Sequence, residues 1–275
     1  MYKTLSGKEP AEAVLEDVRK RIAKLPRYPK LVIVQAGEDP ASTIYVRNKV
    51  KSADSVGVNA EVIKLSGTVI EVELLELVKK LNEDSSVDGF IVQVPLPGHI
   101  NVTKVIDAIN PEKDADGFTS QNMGKLFLGM PVGLLPATPS GIMKMLDFYK
   151  VPLEGKHAVI VGRSNIVGKP IALMLLNRNA TVTICHSKTK DLAKHTTSAD
   201  ILIAAVGKPG LITADMVKEG AFVIDVGTTK SGDKFVGDVD FENVIKKANC
   251  SPVPGGVGPM TRALLLNNVV RAAGQ

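Results

Sequence analysis

Two hydrophobic periods alternate along the chain. Residues 31–36, 60–65 and 89–94 are short, β-branched apolar runs and predict buried strands. Residues 10–24, 42–56, 70–81 and 101–109 carry helical patterns before, between and after them. Strand, helix, strand in that order implies a parallel sheet with right-handed crossovers. From 110 to 141 the periodicity fails while Gly, Pro and Asp accumulate, the mark of a functional stretch or a domain junction. Helical patterning resumes over 141–149. A second series follows, with strand 157–161, helix 167–178 and strands 181–185, 200–206 and 221–226. A Gly- and Pro-rich loop, 252–259, leads into a closing helix, 260–273.

Composition sharpens this little. A chain of 275 residues is long for one core and short for three, so two domains are expected. Apolar residues make up 44% and charged ones 23%, which excludes wholesale disorder. Aromatics are only 4% and Trp is absent, so Val, Ile, Leu and Ala must build the cores. The net charge is +5, but Lys and Arg are scattered and carry no nucleic-acid-binding signature. The excess suits an anionic small molecule. Cys185 and Cys250 lack metal-ligand spacing and are too few for a disulfide framework, so no metal is expected. The first residues lack an apolar signal core, and no apolar run nears the ~18 residues of a membrane span. The expectation is a soluble cytoplasmic protein with no membrane or nucleic-acid partner.

The strand ending at Val161 runs into Gly162-Arg163-Ser164-Asn165-Ile166-Val167-Gly168-Lys169-Pro170, then a helix. Glycine lets such a turn tighten and lets backbone N–H groups approach a pyrophosphate at the helix N-terminus. The Gly162-to-Gly168 spacing departs from G-x-G-x-x-G, although the strand–turn–helix context is kept. A plain βα turn with glycine for packing is the other reading. NAD sites place an Asp or Glu about 20 residues on, at the ribose hydroxyls. Here strand 181–185 leads instead to His186-Ser187-Lys188-Thr189, with no carboxylate, and Arg163 stands in the first turn. Arginine and serine hydrogen-bond phosphate, so the set predicts NADP; a solvated polar strand end is the alternative. Val206-Gly207-Lys208-Pro209-Gly210 and Val226-Gly227-Thr228-Thr229 end two further strands, on the edge where open α/β sheets bind ligands.

The first half carries different chemistry. Helix 42–56, with Ser42 as its expected N-cap, has an apolar stripe of Val46, Val50 and Ala53. Tyr45, Lys49 and Ser52 form a second stripe beside it. A ring and an ammonium one turn apart can stack a flat heterocycle beside a proton-transfer group; the other reading, which this segment alone favours, is a boundary Tyr and a snorkelling Lys on an ordinary amphipathic helix. Gln93 lies in an apolar strand that ends in Val94-Pro95-Leu96-Pro97, so it needs a hydrogen-bond partner. A lysine would serve, as would nearby backbone. Asp116, in Lys113-Asp114-Ala115-Asp116-Gly117-Phe118, reads as a site carboxylate or as an Asx-turn acceptor.

Taken together, these segments resemble the bifunctional methylenetetrahydrofolate dehydrogenase/methenyltetrahydrofolate cyclohydrolase family. Matching stretches are Asp39-Pro40-Ala41-Ser42 with Tyr45, Val46 and Lys49, then Gln93 to Pro97, Lys113 to Phe118, and Pro136-Ala137-Thr138-Pro139-Ser140-Gly141. They continue with Val161 to Pro170, Cys185 to Thr189, and Pro252-Val253-Pro254-Gly255-Gly256-Val257-Gly258-Pro259-Met260-Thr261, in order over nearly the full length. One departure is visible: many relatives have Cys where Ala137 stands.

The resemblance implies two α/β domains with a cleft between them. A folate-binding catalytic domain over 1–138 would be completed by the C-terminal helix 260–275; a Rossmann-type NADP-binding domain would span 139–259. Lys49 would be the acid/base group and Gln93 its hydrogen-bonded partner. Tyr45 would stack on the folate and Asp116 hold the pterin ring, with Pro95, Leu96, Gly255, Gly256 and Pro259 also at the substrate. Gly162, Arg163, Ser164, Ile166, Ser187 and Thr228 would bind NADP, with Arg163 and Ser187 at its 2′-phosphate. A homodimer is also implied.

Hydride loss from the methylene carbon needs mainly positioning, whereas hydrolysis of the methenyl product needs water activation and protonation of a leaving nitrogen. Lys49 would serve the second step if desolvation or the cationic substrate lowers its pKa. Other readings are a dehydrogenase-only relative, an NADP oxidoreductase of the amino-acid or shikimate dehydrogenase type, and a nicotinamide-sensing regulator.

Overall fold

A computed structural model describes residues 2–130, 133–232 and 234–274, and it divides into two compact units. One comprises Ala13–Ala137 with Arg262–Gln275, the other Met1–Glu12 with Thr138–Thr261.

Helix α1 (Lys8–Ile22) leads into the first unit, whose parallel sheet holds β1 (Lys30–Ala36), β2 (Asn59–Leu65) and β3 (Gly89–Val92) in the order β2-β1-β3. After Lys30, β1 and β3 are buried at every position, which is why they read as continuous apolar runs. Val32, Val34, Ala36, Phe90 and Val92 pack with Leu74, Val78 and Leu81 of α3 (Glu71–Glu83) and with Val105 of α4 (Val102–Asp107). Alternation sends Leu31, Ile33 and Ile91 to the opposite face, where they are equally buried.

The remaining helix of this βα series, α2 (Pro40–Asp54), starts two residues earlier than predicted. Asp39 is its cap: the carboxylate accepts from the Ser42 N–H at 2.7 Å, and Pro40 opens the first turn, where a missing N–H costs nothing. Ser42, the expected cap, lies inside that turn. On β1, Gln35 donates to the Thr43 hydroxyl at 3.0 Å and so ties the strand end to the same turn.

The aperiodic stretch 110–141 conceals α5 (Ser120–Phe127) and the start of α6 (Ala137–Phe148). Buried Asn122 accompanies Leu126 on α5, so hydrophobic spacing alone could not reveal that helix.

The second unit is a five-stranded parallel sheet. It contains β4 (His157–Val161), β5 (Thr181–Cys185), β6 (Ile201–Ala204) and β7 (Phe222–Asp225), joined at one edge by β10 (Asn249–Cys250); the order is β10-β7-β6-β4-β5. Helix α7 (Gly168–Leu176) follows β4, α8 (Leu192–Thr196) follows β5, and α9 (Phe241–Val244) precedes β10. An antiparallel pair, β8 (Thr229–Ser231) with β9 (Lys234–Val236), follows β7. These last pieces have two to five residues, too short to show a period. The N-terminal segment extends the β10 edge: Leu5 N–H donates to the Cys250 carbonyl at 2.9 Å, and Cys250 N–H to that of Lys3 at 3.1 Å.

The closing helix, α10 (Val257–Ala273), begins three residues earlier than predicted, which places Pro259 in its first turn rather than in the preceding loop. No described helix is long and apolar enough to cross a membrane.

Candidate active site

Three side chains singled out in the sequence meet in the first unit. Lys49, on α2, donates from Nζ to Gln93 Oε1 at 3.1 Å and lies 3.9 Å from Asp116 Oδ1. The Lys49 and Asp116 side chains are only 11% and 17% exposed, so the ammonium is held largely away from water. Tyr45 stands one helical turn earlier and is 37% exposed. Its ring is thus accessible beside a buried charge.

Gln93 is buried and lies just beyond β3, not inside it. Its own N–H continues the ladder to the Val34 carbonyl at 2.8 Å. Its side-chain amide donates to the Val94 carbonyl at 2.7 Å, leaving Oε1 for Lys49. Both bonding modes expected for this residue are therefore present. Pro95 follows exposed and Leu96 buried.

Asp116 is not the turn acceptor. That role belongs to Asp114, which is fully buried and accepts from the N–H groups of Gly117 and Thr119 at 2.9 and 2.8 Å and from Asn122 Nδ2 at 3.1 Å. Asn268, on α10, ties this turn to the chain ahead of α6, donating from Nδ2 to the carbonyls of Ala115 and Leu135 at 2.9 and 2.8 Å. The Asp116 carboxyl is thereby aimed at Lys49. Burial pushes its pKa up, Lys49 opposes this, and Asp114 adds to it. The reading of the sequence missed Asp114 and Asn268; a second carboxylate two residues before Asp116 was the available signal.

Arg262 was also missed. Its Nε donates to the hydroxyl of Ser52, the third member of the Tyr45–Lys49 stripe, at 3.1 Å, and burial lowers the guanidinium pKa.

In the second unit, the turn after β4 fits a dinucleotide by its close backbone. Gly162 has φ +134°, and a Cβ there would strike the Ala205 carbonyl; one on Gly168 would strike the Gly162 carbonyl. Such close backbone at the start of a helix is what a pyrophosphate-binding turn requires. Ser164 braces the turn, its hydroxyl accepting from the N–H groups of Val167 and Gly168 at 3.2 Å each. Arg163, Ile166, Ser187 and Thr228 are all exposed. Among the described residues no carboxylate pairs with Arg163, whose guanidinium suits a phosphate.

Gly255, Gly256 and Pro259 belong to this second unit. The Gly255 carbonyl accepts from Gly7 N–H at 2.9 Å.

Residues 136–275 match the family model described as tetrahydrofolate dehydrogenase/cyclohydrolase, NAD(P)-binding domain, and residues 5–116 match its catalytic domain. The chain belongs to the tetrahydrofolate dehydrogenase/cyclohydrolase family. The bifunctional protein FolD of Sulfurihydrogenibium sp. (strain YO3AOP1) is 53% identical over 97% of this chain and 95% of that protein. The crystal structure of the bifunctional FolD methylenetetrahydrofolate dehydrogenase/cyclohydrolase from Campylobacter jejuni superposes with a TM-score of 0.97 at 46% identity, covering 100% of this chain and 99% of that one. The Trypanosoma brucei enzyme, solved with NADP cofactor and inhibitor, gives a TM-score of 0.96 at 36% identity over 99% and 97% of the two chains. Family membership separates the chain from amino-acid and shikimate dehydrogenases. Tyr45, Lys49, Gln93, Pro95, Leu96 and Asp116 all fall within the stretch matching the family's catalytic domain.

The raised pKa of Asp116 has a consequence for stability. The folded protein keeps this proton to a higher pH than the unfolded chain, so Asp116 takes stability away as pH rises from the ordinary carboxylate range through its raised value. In Asp116→Asn that pH-dependent loss is expected to vanish. Urea unfolding from pH 4 to 7 should then show the variant gaining on wild type as pH rises; a constant difference would refute the assignment.

Proposed function

We propose that the chain is a bifunctional one-carbon folate enzyme. It oxidises 5,10-methylenetetrahydrofolate to the 5,10-methenyl cation with NADP, then hydrolyses that product to 10-formyltetrahydrofolate. The observation that carries the reading is the Lys49 ammonium, bonded to Gln93 at 3.1 Å and 3.9 Å from Asp116, in a chain of this family.

Asp116 holds the pterin ring, Tyr45 stacks on the folate, and Pro95, Leu96, Gly255, Gly256 and Pro259 make further substrate contacts. Orientation dominates the oxidation, because the cation it forms is stabilised by resonance over two nitrogens. NADP, when bound, accepts the hydride. Gly162, Ser164, Ile166 and Thr228 hold the nucleotide, with Arg163 and Ser187 at its 2′-phosphate.

Hydrolysis places the demand on Lys49. Water adds to the methenyl carbon and loses one proton; the resulting hydroxyl gives up its second proton as the formyl C=O forms, the bond from that carbon to N5 breaks, and N5 takes up a proton. Gln93 fixes the Lys49 amine where it can pass protons between water and nitrogen. Its carbonyl orients the group without adding a full charge. The protein works in the cytoplasm as a homodimer, a state that sedimentation would test.

Two sets of variants test these assignments. With methenyltetrahydrofolate as substrate, Lys49→Met should lose about 100-fold or more in cyclohydrolase turnover, the scale of general acid–base catalysis; full turnover would sink the role. Replacing both Arg163 and Ser187 by Ala should raise the KM for NADP by about 10–100-fold through lost charge-assisted bonds, with little change for NAD. Equal losses for the two nucleotides would refute the phosphate site.

A further inference from the structure

The second unit contains two buried carboxylates, Asp225 and Asp238, that the proposed chemistry does not use. Asp225 closes β7; Asp238 lies two residues past β9. Both are nearly inaccessible, at 2% and 0% exposure, so neither reaches a ligand through solvent.

Their partners are backbone N–H groups. Asp238 Oδ2 accepts from Val206 and Gly207 at 2.6 and 3.1 Å, and its Oδ1 from Lys208 at 2.7 Å. Three consecutive amides of the loop after β6 thus converge on one carboxylate. Asp225 accepts from Gly227, Asp238 and Val239 at 3.0, 2.9 and 2.9 Å, while its own N–H donates to the Ser251 hydroxyl at 2.8 Å. Glycines admit the two side chains: a Cβ on Gly237 would overlap the Asp225 carboxylate, and one on Gly227 that of Asp238. Burial lifts the Asp225 pKa to about 6 against these donors, which leaves it ionised and purely accepting at neutral pH.

Topology says what this bracing serves. The chain passes from β4 to β5 on one side of β4, then crosses to β6 on the other. The switch point therefore lies between β4 and β6, where open α/β sheets bind ligands outside the strand ends. The walls there are the Gly162 turn, beside the Ala205 carbonyl, and the 206–208 loop that continues from it.

We propose that Asp238, braced by Asp225, is the positioning residue that fixes the 206–208 backbone as the wall of the dinucleotide crevice on the β6 side. This rests on the NADP reading of the unit and adds to it. The loop meets cofactor with its shape preset by a side chain from beyond the β8–β9 pair.

Asp238→Asn tests this. An amide keeps the size but turns an N–H₂ toward backbone donors. Expected are a fall of about tenfold or more in dehydrogenase kcat/KM for NADP, and faster hydrogen exchange at 206–208. Nucleotide-free hydrolysis of methenyltetrahydrofolate should stay within about twofold. Equal loss of both reactions, or no loss of either, would overturn the inference. The wild-type protein provides a second arm that does not depend on the variant folding. Without NADP, the Val206, Gly207 and Lys208 amides should already be protected like those of β6; free exchange until NADP binds would overturn the preset wall. If wild type shows no NADP-dependent oxidation, the enzyme reading falls, while the exchange data still decide whether Asp238 holds the loop.

Discussion

A lysine ammonium kept largely from water constrains the whole first unit. Burying a charge is costly unless it is hydrogen-bonded and close to an opposite charge. Lys49 has both, a carbonyl oxygen from Gln93 and the Asp116 carboxyl, but each must come from a different element. The end of β3 supplies one, the turn after α4 the other, and α2 the lysine itself. The sheet register, the Asp39 cap that sets the start of α2 and the Asp114 turn all serve this one meeting.

Carboxylates that accept backbone N–H groups recur wherever an irregular segment must hold a fixed shape. Asp39 fixes the entry to α2, Asp114 the turn that carries Asp116, and Asp225 with Asp238 the loops at the ends of β6 and β7. A charge-assisted bond to backbone fixes a loop without regular secondary structure. The two units use this device for different ends. In the first it aims a functional side chain, and in the second it presents bare backbone.

Much of this is legible in the sequence. Buried parallel strands read as apolar runs, and β4 and β5 were bounded to the residue. Residue type within apolar framing singles out Lys49, Gln93 and Asp116, and the structure brings them together. What stayed hidden depends on partners distant in sequence. Asp114 and Asp238 are indistinguishable from solvated turn residues until their backbone donors are placed around them. Helix α5 buries an asparagine, and β8, β9 and β10 are too short for a period. Ser42 is a good cap by type, yet Pro40 starts the helix before it.

The central claim is that Gln93 holds Lys49 ready for proton transfer in hydrolysis and is dispensable for hydride loss. Kinetics of Gln93→Leu for both reactions, measured on the same preparation, test it most directly. The expected result is a fall of about tenfold or more in cyclohydrolase kcat, with dehydrogenase kcat retained to within a few-fold. Full hydrolysis, or an equal loss of both reactions, would contradict it.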